Sequence, residues 1–580
     1  MEPSTDSIAC PRGIFPARRK FPSAASGEIF PGGRSGIQPR VVVFYRNRHN
    51  IQEKAMNHAG RWAAALCCAA ATLYGAEWRQ SFDGEPYTCA MPADKAWALS
   101  DQLESTFADG VRGRALDLSS AAGKRRPVRI EPPFSCNRDF SVSLWVKSAP
   151  GAIQGTPIAA NGTLRESGWQ ILARENGSWA VKLRSGETSF EYAPPLRKIN
   201  DGAWHQLAFT IDTGRGLARF YYDGRCVAIY NIDGLGPLDS GKWTVFGGSD
   251  DSFDSGDAGM IEAFNGCIDE LYLSDTVRSD ADLAAEFAAL QPGRVRPVPV
   301  LEGDRVRCMV WNIWHGGRHT GRHVGPQRIV EIMKSIDPDV IGVIETYGSG
   351  AILADGMDYQ LYLISNNLSI LSRYPIAEAI KIFKPFNSGA AAIDFGSGRS
   401  MVLNVSWLNY LPDFAAQIAE GKATPESLRA GEAATREPEI RQILEELKPF
   451  RDNAARVPLV VAGDFNVASH LDWTEENRDL HRGFAVDWPV SRRMAEAGFT
   501  DTFRALNPDV RRNEALSWCV WATVPGGRYQ TYTLQARIDY IYLLGARAVE
   551  SRYLGTHKAL FPSDHGTFYT DFLLPDAPRP

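Results

Sequence analysis

The spacing of apolar residues changes once along this chain, near Pro292, Pro297 and Pro299, and that change limits the fold more than any other feature. Before the prolines, apolar side chains alternate with polar ones in residues 140–146, 169–173, 179–183, 204–211 and 218–222. Alternation bounded by Asn-Gly, Asp-Gly and Ser-Gly turns is the pattern of half-buried antiparallel strands. With no helical stretch among them before residues 280–290, these strands predict an all-β jelly-roll sandwich over residues 78–290. After the prolines, strands alternate with helical spacing. A strand over residues 305–313 is followed by a helix with Ile329, Ile332, Met333 and Ile336 on one face, then by the strand 340–344. The order repeats with a helix over residues 439–447 and a strand ending in Asp464, which predicts an α/β domain over residues 304–575. Residues 291–303 read as the linker. A chain of 580 residues is too long for one core, so multidomain organisation is expected on length as well.

Residues 1–55 are rich in Arg, Pro, Gly and Ser without apolar period, and read as disorder or as a mis-assigned start. From Met56 a short basic lead precedes an apolar run over residues 62–75, the length of a signal-peptide core. Residues 56–76 are therefore expected to be a signal peptide, although Leu73 or Tyr74 stands where a small residue is preferred at cleavage. A buried N-terminal helix is the alternative. The expected location is secreted or periplasmic, and no later stretch is long and apolar enough to make a transmembrane helix. Six of the nine cysteines follow residue 76, and none of them has CxxC spacing. That leaves disulfides or buried thiols, and gives no support to a zinc or thioredoxin-type site. The formal net charge of −5 argues against a protein held to nucleic acid by a basic field, though not against an enzyme acting on phosphodiesters.

Polar groups recur where the later strands end. Leu459 to Asn466 reads LVVAGDFN, an apolar strand that delivers Asp464 and Asn466 on one face while Phe465 points to the other. By itself Gly-Asp at a strand end is equally an ordinary turn. The strand of residues 305–313 ends in Asn312, and residues 340–344 are followed by Glu345. Asp539 sits in the otherwise apolar RIDYIY, where an unpaired carboxylate would be costly. Asp564 and His565 lie in a Pro/Gly loop before the last strand. A buried Asp and a loop His are what an oriented imidazole needs.

Two resemblances follow. Residues 140–146, the DGAWH of residues 201–205, the YDGR hairpin of residues 222–225 and the FNGCIDEL of residues 264–271 resemble the laminin-G-like, concanavalin-A-like lectin family. That resemblance implies a carbohydrate, protein or matrix ligand, a glycan or cell-surface partner here, often with calcium. The acidic loop of residues 250–257 is the Ca2+ candidate, with a solvated loop as the alternative. Asp269 and Glu270 are not read as a glycosidase pair, because adjacent strand residues face opposite sides. In the second half, WNIWHGG, PDVIGVIE, GDFN, RIDYIY and SDH occur together in the order of the endonuclease/exonuclease/phosphatase superfamily. That chain segment resembles its DNase-I-like fold, an αββα four-layer sandwich.

The second resemblance implies a phosphoesterase dependent on Mg2+, with Mn2+ as the alternative ion. Glu345 would be its principal metal ligand, with Asn312 and Asp564 near it. It also implies that Asp539 orients His565 toward phosphate, that Asp464 activates water or protonates the leaving oxygen, and that Asn466 donates to a phosphate oxygen. The chemistry needs such groups, because a phosphodiester repels hydroxide until its charge is neutralised. One position departs from the family: Trp407 stands where a phosphate-contacting His is common, and indole cannot exchange a proton at that position. Trp407 would then pack against substrate, or His315 would cover the role. His470, in the loop after Asn466, is a further substrate-binding candidate. His315, His319 and His323 are read as a substrate-side loop rather than a metal cluster. The expected function is an exported phosphodiesterase docked to a glycan or surface. Its phosphoester substrate is a nucleic acid, a phospholipid head group or another organophosphate. The rival is a binding protein with an inactive phosphoesterase-like domain.

Overall fold

The computed structural model describes residues 77–83, 98–99, 106–120, 127–131, 134–152, 155–162, 167–249, 264–523, 535–558 and 560–575. The N-terminal 55 residues, the expected signal segment 56–76 and the acidic loop 250–257 lie outside them. The described part of the first half is a β-sandwich. One sheet is ordered Thr188–Tyr192, Trp179–Ser185, Gly168–Ala173, Pro157–Asn161, Thr244–Phe246, Val128–Glu131, Ala98–Leu99. The facing sheet contains His205–Asp212 between Phe140–Lys147 and Leu217–Tyr222, with Arg225–Asn231 beyond and Cys267–Ser274 on the other side. Phe140, Val142, Leu144 and Val146 pack from one sheet against Trp169, Ile171 and Val181 of the other.

The intervening Ser141 and Ser143 are buried as well, because the helix Asp280–Leu290 covers the outer face. Its Phe287 stacks on Trp145 with ring centres 5.4 Å apart. Ser279 caps this helix through a reciprocal pair with Asp282, which fixes where it begins. Asp269 accepts hydrogen bonds from the backbone N–H groups of Val111 (2.8 Å) and Arg112 (3.4 Å), and Glu270 pairs with Arg112, so both acids tie a loop down. Cys136, Cys226, Cys267 and Cys308 carry free thiols.

In the second half two sheets lie face to face. One runs Arg547–Leu554, Thr567–Leu573, Arg305–Asn312, Val340–Ile344, Leu368–Ser372, Gln360–Leu363. The other runs Ile376–Lys381, Ser388–Gly396, Arg399–Trp407, Leu459–Asp464, Asp539–Leu544, Thr500–Asp501. Cys308, Val310 and Val340 meet Leu403, Val405, Val460 and Ile541 between them. The helix Val324–Ile336 buries Ile329, Ile332, Met333 and Ile336 on the outside of the first sheet. The helices Arg436–Glu446 and Pro489–Glu496 bury Ile440, Ile443 and Met494 on the outside of the second. This is the αββα sandwich, and both polar sheet ends described below open on one side of it.

The two halves share a sheet. Strand Arg225–Asn231 of the sandwich pairs in parallel with Gln360–Leu363, joining Ala228 to Leu361, Ile229 to Tyr362 and Tyr230 to Leu363, within a sheet of fourteen strands. Asn231 Nδ2 donates to the Ile364 carbonyl at 3.1 Å, and the buried Asp355 pairs with Arg197 across the seam. The segment expected to be a linker is held too. Arg294 pairs with Asp223 at 3.0 Å, and the Leu301 N–H donates to the Phe395 carbonyl at 3.0 Å. No helix among the described residues is long and apolar enough to cross a membrane.

Candidate active site

Strand register builds the site. Asp464 lies opposite Asp539 in the antiparallel pair Leu459–Asp464 with Asp539–Leu544. It also lies beside Trp407 in the parallel pair with Arg399–Trp407. Gly463 permits this approach, since a Cβ there would come within 1.8 Å of the Ser406 carbonyl oxygen. From the facing sheet Asn312 ends its strand beside Ile344, one residue before Glu345. Phe465 points away and packs edge-on against Tyr540, with ring centres 5.4 Å apart.

The Asn312 amide joins the two sheets. Its Nδ2 lies 3.2 Å from Glu345 Oε1, 3.1 Å from Asp464 Oδ2 and 3.5 Å from His565 Nε2. Its Oδ1 accepts from the Trp314 N–H at 3.0 Å, which fixes the amide orientation. His565 Nδ1 meets Asp539 Oδ2 at 2.9 Å, and its Nε2 is 3.9 Å from Asp464 Oδ2. Glu345, Asn466, Trp314 and His315 all have φ between 50° and 57°. Non-glycine residues adopt that conformation at a cost that recurs at functional sites.

Burial and neighbouring charge set the protonation pattern. Burial opposes the imidazolium of His565, but Asp539 and Asp464 outweigh it and push its pKa up to about 10. Burial, then the Asp539 charge, pushes Asp464 up to about 7. Burial pushes Asp564 up to about 6, and Glu345 adds to that. Ligand atoms of Asp464, Asp539 and His565 lie within 4.8 Å of one another. That group is a poor cation cage as it stands, because an imidazolium already bonded to a carboxylate has no lone pair to give. The opposite corner fits a hard divalent cation better. There Asp564 Oδ1 is buried without a hydrogen-bond partner and Glu345 supplies further carboxylate oxygen, while the Asn312 amide turns its Nδ2 toward Glu345 and keeps its Oδ1 on the Trp314 N–H.

Not every expected residue converges. Asn466 binds the site's own frame: its N–H donates to Asp464 Oδ1 at 2.9 Å and its Nδ2 to the Leu408 carbonyl at 2.9 Å. His315 sits at the rim with an exposed side chain, Nε2 3.6 Å from Glu345 Oε2, and contacts His319 at 3.0 Å. Trp407 packs edge-on against Phe386 beside Asp464. His470 is turned away from the site, and its Nδ1 is bonded to Ser491 Oγ at 2.7 Å on the helix Pro489–Glu496. A loop histidine beside a helix hydroxyl finds that partner first. The same segment contributes Trp473 instead, which lines a cavity next to Asn466. Arg436 lines it too. Nothing in the sequence marks Arg436, which looks like an ordinary surface arginine on a polar helix.

Fold and site together define a two-domain protein, a concanavalin-like β-sandwich followed by a DNase-I-like endonuclease/exonuclease/phosphatase domain. Residues 123–284 match the family model of the concanavalin A-like lectin/glucanases superfamily, and residues 309–565 that of the endonuclease/exonuclease/phosphatase family. The chain is 27% identical over 295 residues to the uncharacterized protein F14F9.5 of Caenorhabditis elegans, covering 46% of this chain and 91% of that one. It is 36% identical over 96 residues to DNA repair nuclease APEX1 of Danio rerio, covering 16% of this chain and 29% of the relative. Among solved structures, truncated TDP2 of Caenorhabditis elegans matches at 17% identity and a TM-score of 0.32, over 46% of this chain and 97% of that one. An AP endonuclease from Archaeoglobus fulgidus matches at 16% identity and a TM-score of 0.33, over 46% and 98%.

Proposed function

We propose that this protein is an exported, magnesium-dependent phosphodiesterase whose β-sandwich docks it to a glycan or cell surface. The observation that carries the catalytic part is the Asn312 amide within 3.5 Å of Glu345, Asp464 and His565 at once, drawing both sheet ends onto one point. The zebrafish relative, named a DNA repair nuclease, supports phosphoester chemistry. Export rests on the apolar run of residues 62–75.

His565, held by Asp539, offers an imidazolium Nε2–H to a non-bridging phosphate oxygen. Asp464, on the same face, accepts a proton from attacking water. The Asn312 amide donates to the oxygen on which charge builds, from a position already fixed by Trp314. A divalent cation held by Glu345 and Asp564, with Asn312 beside them, would neutralise the phosphate charge that repels water. Acidic side chains slightly outnumber basic ones after residue 300, which favours a small or lipid phosphoester over a long nucleic acid.

Purified protein is assayed against bis-p-nitrophenyl phosphate, plasmid DNA and sphingomyelin, with magnesium and with EDTA. Hydrolysis of at least one, lost with EDTA and in His565→Ala, is expected. No metal-dependent turnover of any of the three overturns the catalytic reading in favour of a binding protein.

A further inference from the structure

Beside the catalytic carboxylates lies a cavity whose chemistry the hydrolytic groups do not use. It has rings of Phe414, Trp473, Trp488 and Trp518 in its walls and an empty volume of about 660 Å3 counted with its open mouth. Three lining residues border the reacting centre: Asn466 two positions after Asp464, Ile538 next to Asp539, and Trp518, whose backbone bridges to that of His565. A group held here therefore lies beside the residues that carry the reacting centre.

Arg436 also lines the cavity and is 1% exposed. Its Nη2 donates to the carbonyls of Tyr410 at 2.7 Å and Pro412 at 3.1 Å, and its guanidinium carbon lies 4.5 Å from the centre of the Phe414 ring. Its Nε and Nη1 are buried without a hydrogen-bond partner, and so is Trp488 Nε1 in the wall. Glu432, four residues earlier, gives Oε1 to the Val490 N–H at 2.9 Å and leaves Oε2 unbonded. Buried donors left unmade cost free energy that an arriving acceptor recovers, and a buried cation gains most. Aromatic walls admit a flat apolar body. Orphaned N–H groups within them call for an oxygen on that body.

Resting on the phosphoesterase reading above, we propose that this cavity binds an aromatic substituent of the phosphoester, and that Arg436 selects a ring carrying an oxygen acceptor, a carboxylate or carbonyl, on the edge away from phosphate. Arg436 is then a specificity residue.

Two measurements on the full chain test this. Binding of 3-hydroxybenzoate and of 3-methylphenol is compared by titration calorimetry. Hydrolysis of methyl 3-carboxyphenyl phosphate is compared with that of methyl 3-methylphenyl phosphate, whose leaving groups are of similar basicity. Wild type is expected to favour the carboxylate partner by about tenfold or more in both, the scale of one hydrogen bond to a charged group. Arg436→Met brings the ratio to near one. Because Arg436 also holds two carbonyls, Ala415→Trp serves as a second variant: it fills the cavity from its lining while leaving those bonds in place, and it abolishes binding of both ligands. Equal affinity for the two ligands in wild type, or a preference that survives both substitutions, overturns the proposal. If the carboxylate preference in binding holds but neither ester is hydrolysed, the cavity assignment stands and the phosphoesterase reading falls. Hydrolysis of both esters without preference has the reverse meaning.

Discussion

Asp539→Asn changes one charge and almost no volume in a fully buried side chain. The amide oxygen can still accept from His565 Nδ1, now 2.9 Å from Asp539 Oδ2, so the ring stays oriented while its charge support is lost. Asp539 is the largest of the influences that raise His565 to about 10 against its burial. Without it, Asp464 at 3.9 Å and the weaker influence of Asp564 are left against the larger opposing burial, and the imidazole falls back toward or below neutrality. Each pKa unit is a tenfold change in the protonated fraction. At pH 8.5 the loss of imidazolium should therefore lower kcat/KM by about 100-fold. The assay is the pH–rate profile on bis-p-nitrophenyl phosphate from pH 5 to 10.5. The alkaline limb of wild type is expected near pH 10 and that of the variant near neutrality. Stability moves with the same sign: a raised His pKa stabilises the fold fully below pH 6.5 and that gain is lost as pH rises to about 10. Wild type should therefore lose more stability than the variant between pH 7 and 10. A variant whose alkaline limb stays near pH 10 would refute the charge argument.

Asp464→Asn should lower turnover by at least about 1000-fold while the melting temperature holds or rises, because burial already pushes this carboxyl to about 7 and an amide removes that cost; near-normal turnover contradicts its role. Burial likewise pushes Glu432 up to about 8. The native state then holds this proton more tightly than the unfolded chain, so stability falls between pH 4.5 and 8, by on the order of 5 kcal/mol from this group. Urea unfolding at pH 5 and pH 9 should show that difference shrinking in Glu432→Gln, and an unchanged difference counts against it. Asp355→Ala leaves Arg197 without its buried partner at the seam and should cost about 3–5 kcal/mol in thermal or urea unfolding. A loss below about 1 kcal/mol means the pair is solvated.

The strands and helices that face solvent on one side were legible because their periodicity survives in sequence. The helix Asp280–Leu290 has the bounds its sequence pattern predicts, and Ile329, Ile332, Met333 and Ile336 pack inward as their spacing predicts. Motif order brings out Asn312, Glu345, Asp464, Asp564 and His565 because each ends or follows a strand or sits in a turn, and Asp539 because it is a carboxylate in an apolar strand, where it is the first residue. What depends on partners distant in sequence was not legible. Nothing near His470 marks Ser491, 21 residues on, as its partner. Arg436 reads as solvent-facing within a polar helix until the segment from Tyr410 to Phe414 folds over it. The parallel pairing of Ala228–Tyr230 with Leu361–Leu363 leaves no local trace, since any apolar strand would look the same.

That pairing bears on how the protein can be cut. A sheet edge is a row of open donors and acceptors that recruits other chains, and here each half covers the other's edge. Cleavage among Val295, Val298 and Val300, which are exposed, would break the chain without releasing two fragments, because the shared strands and the Arg197–Asp355 pair still hold them. Either half made alone would carry an uncapped strand, Arg225–Asn231 or Gln360–Leu363, and would be expected to self-associate through it. The smallest piece suited to crystallisation or display is thus the tandem, and a tag or fusion belongs outside it rather than at the prolines.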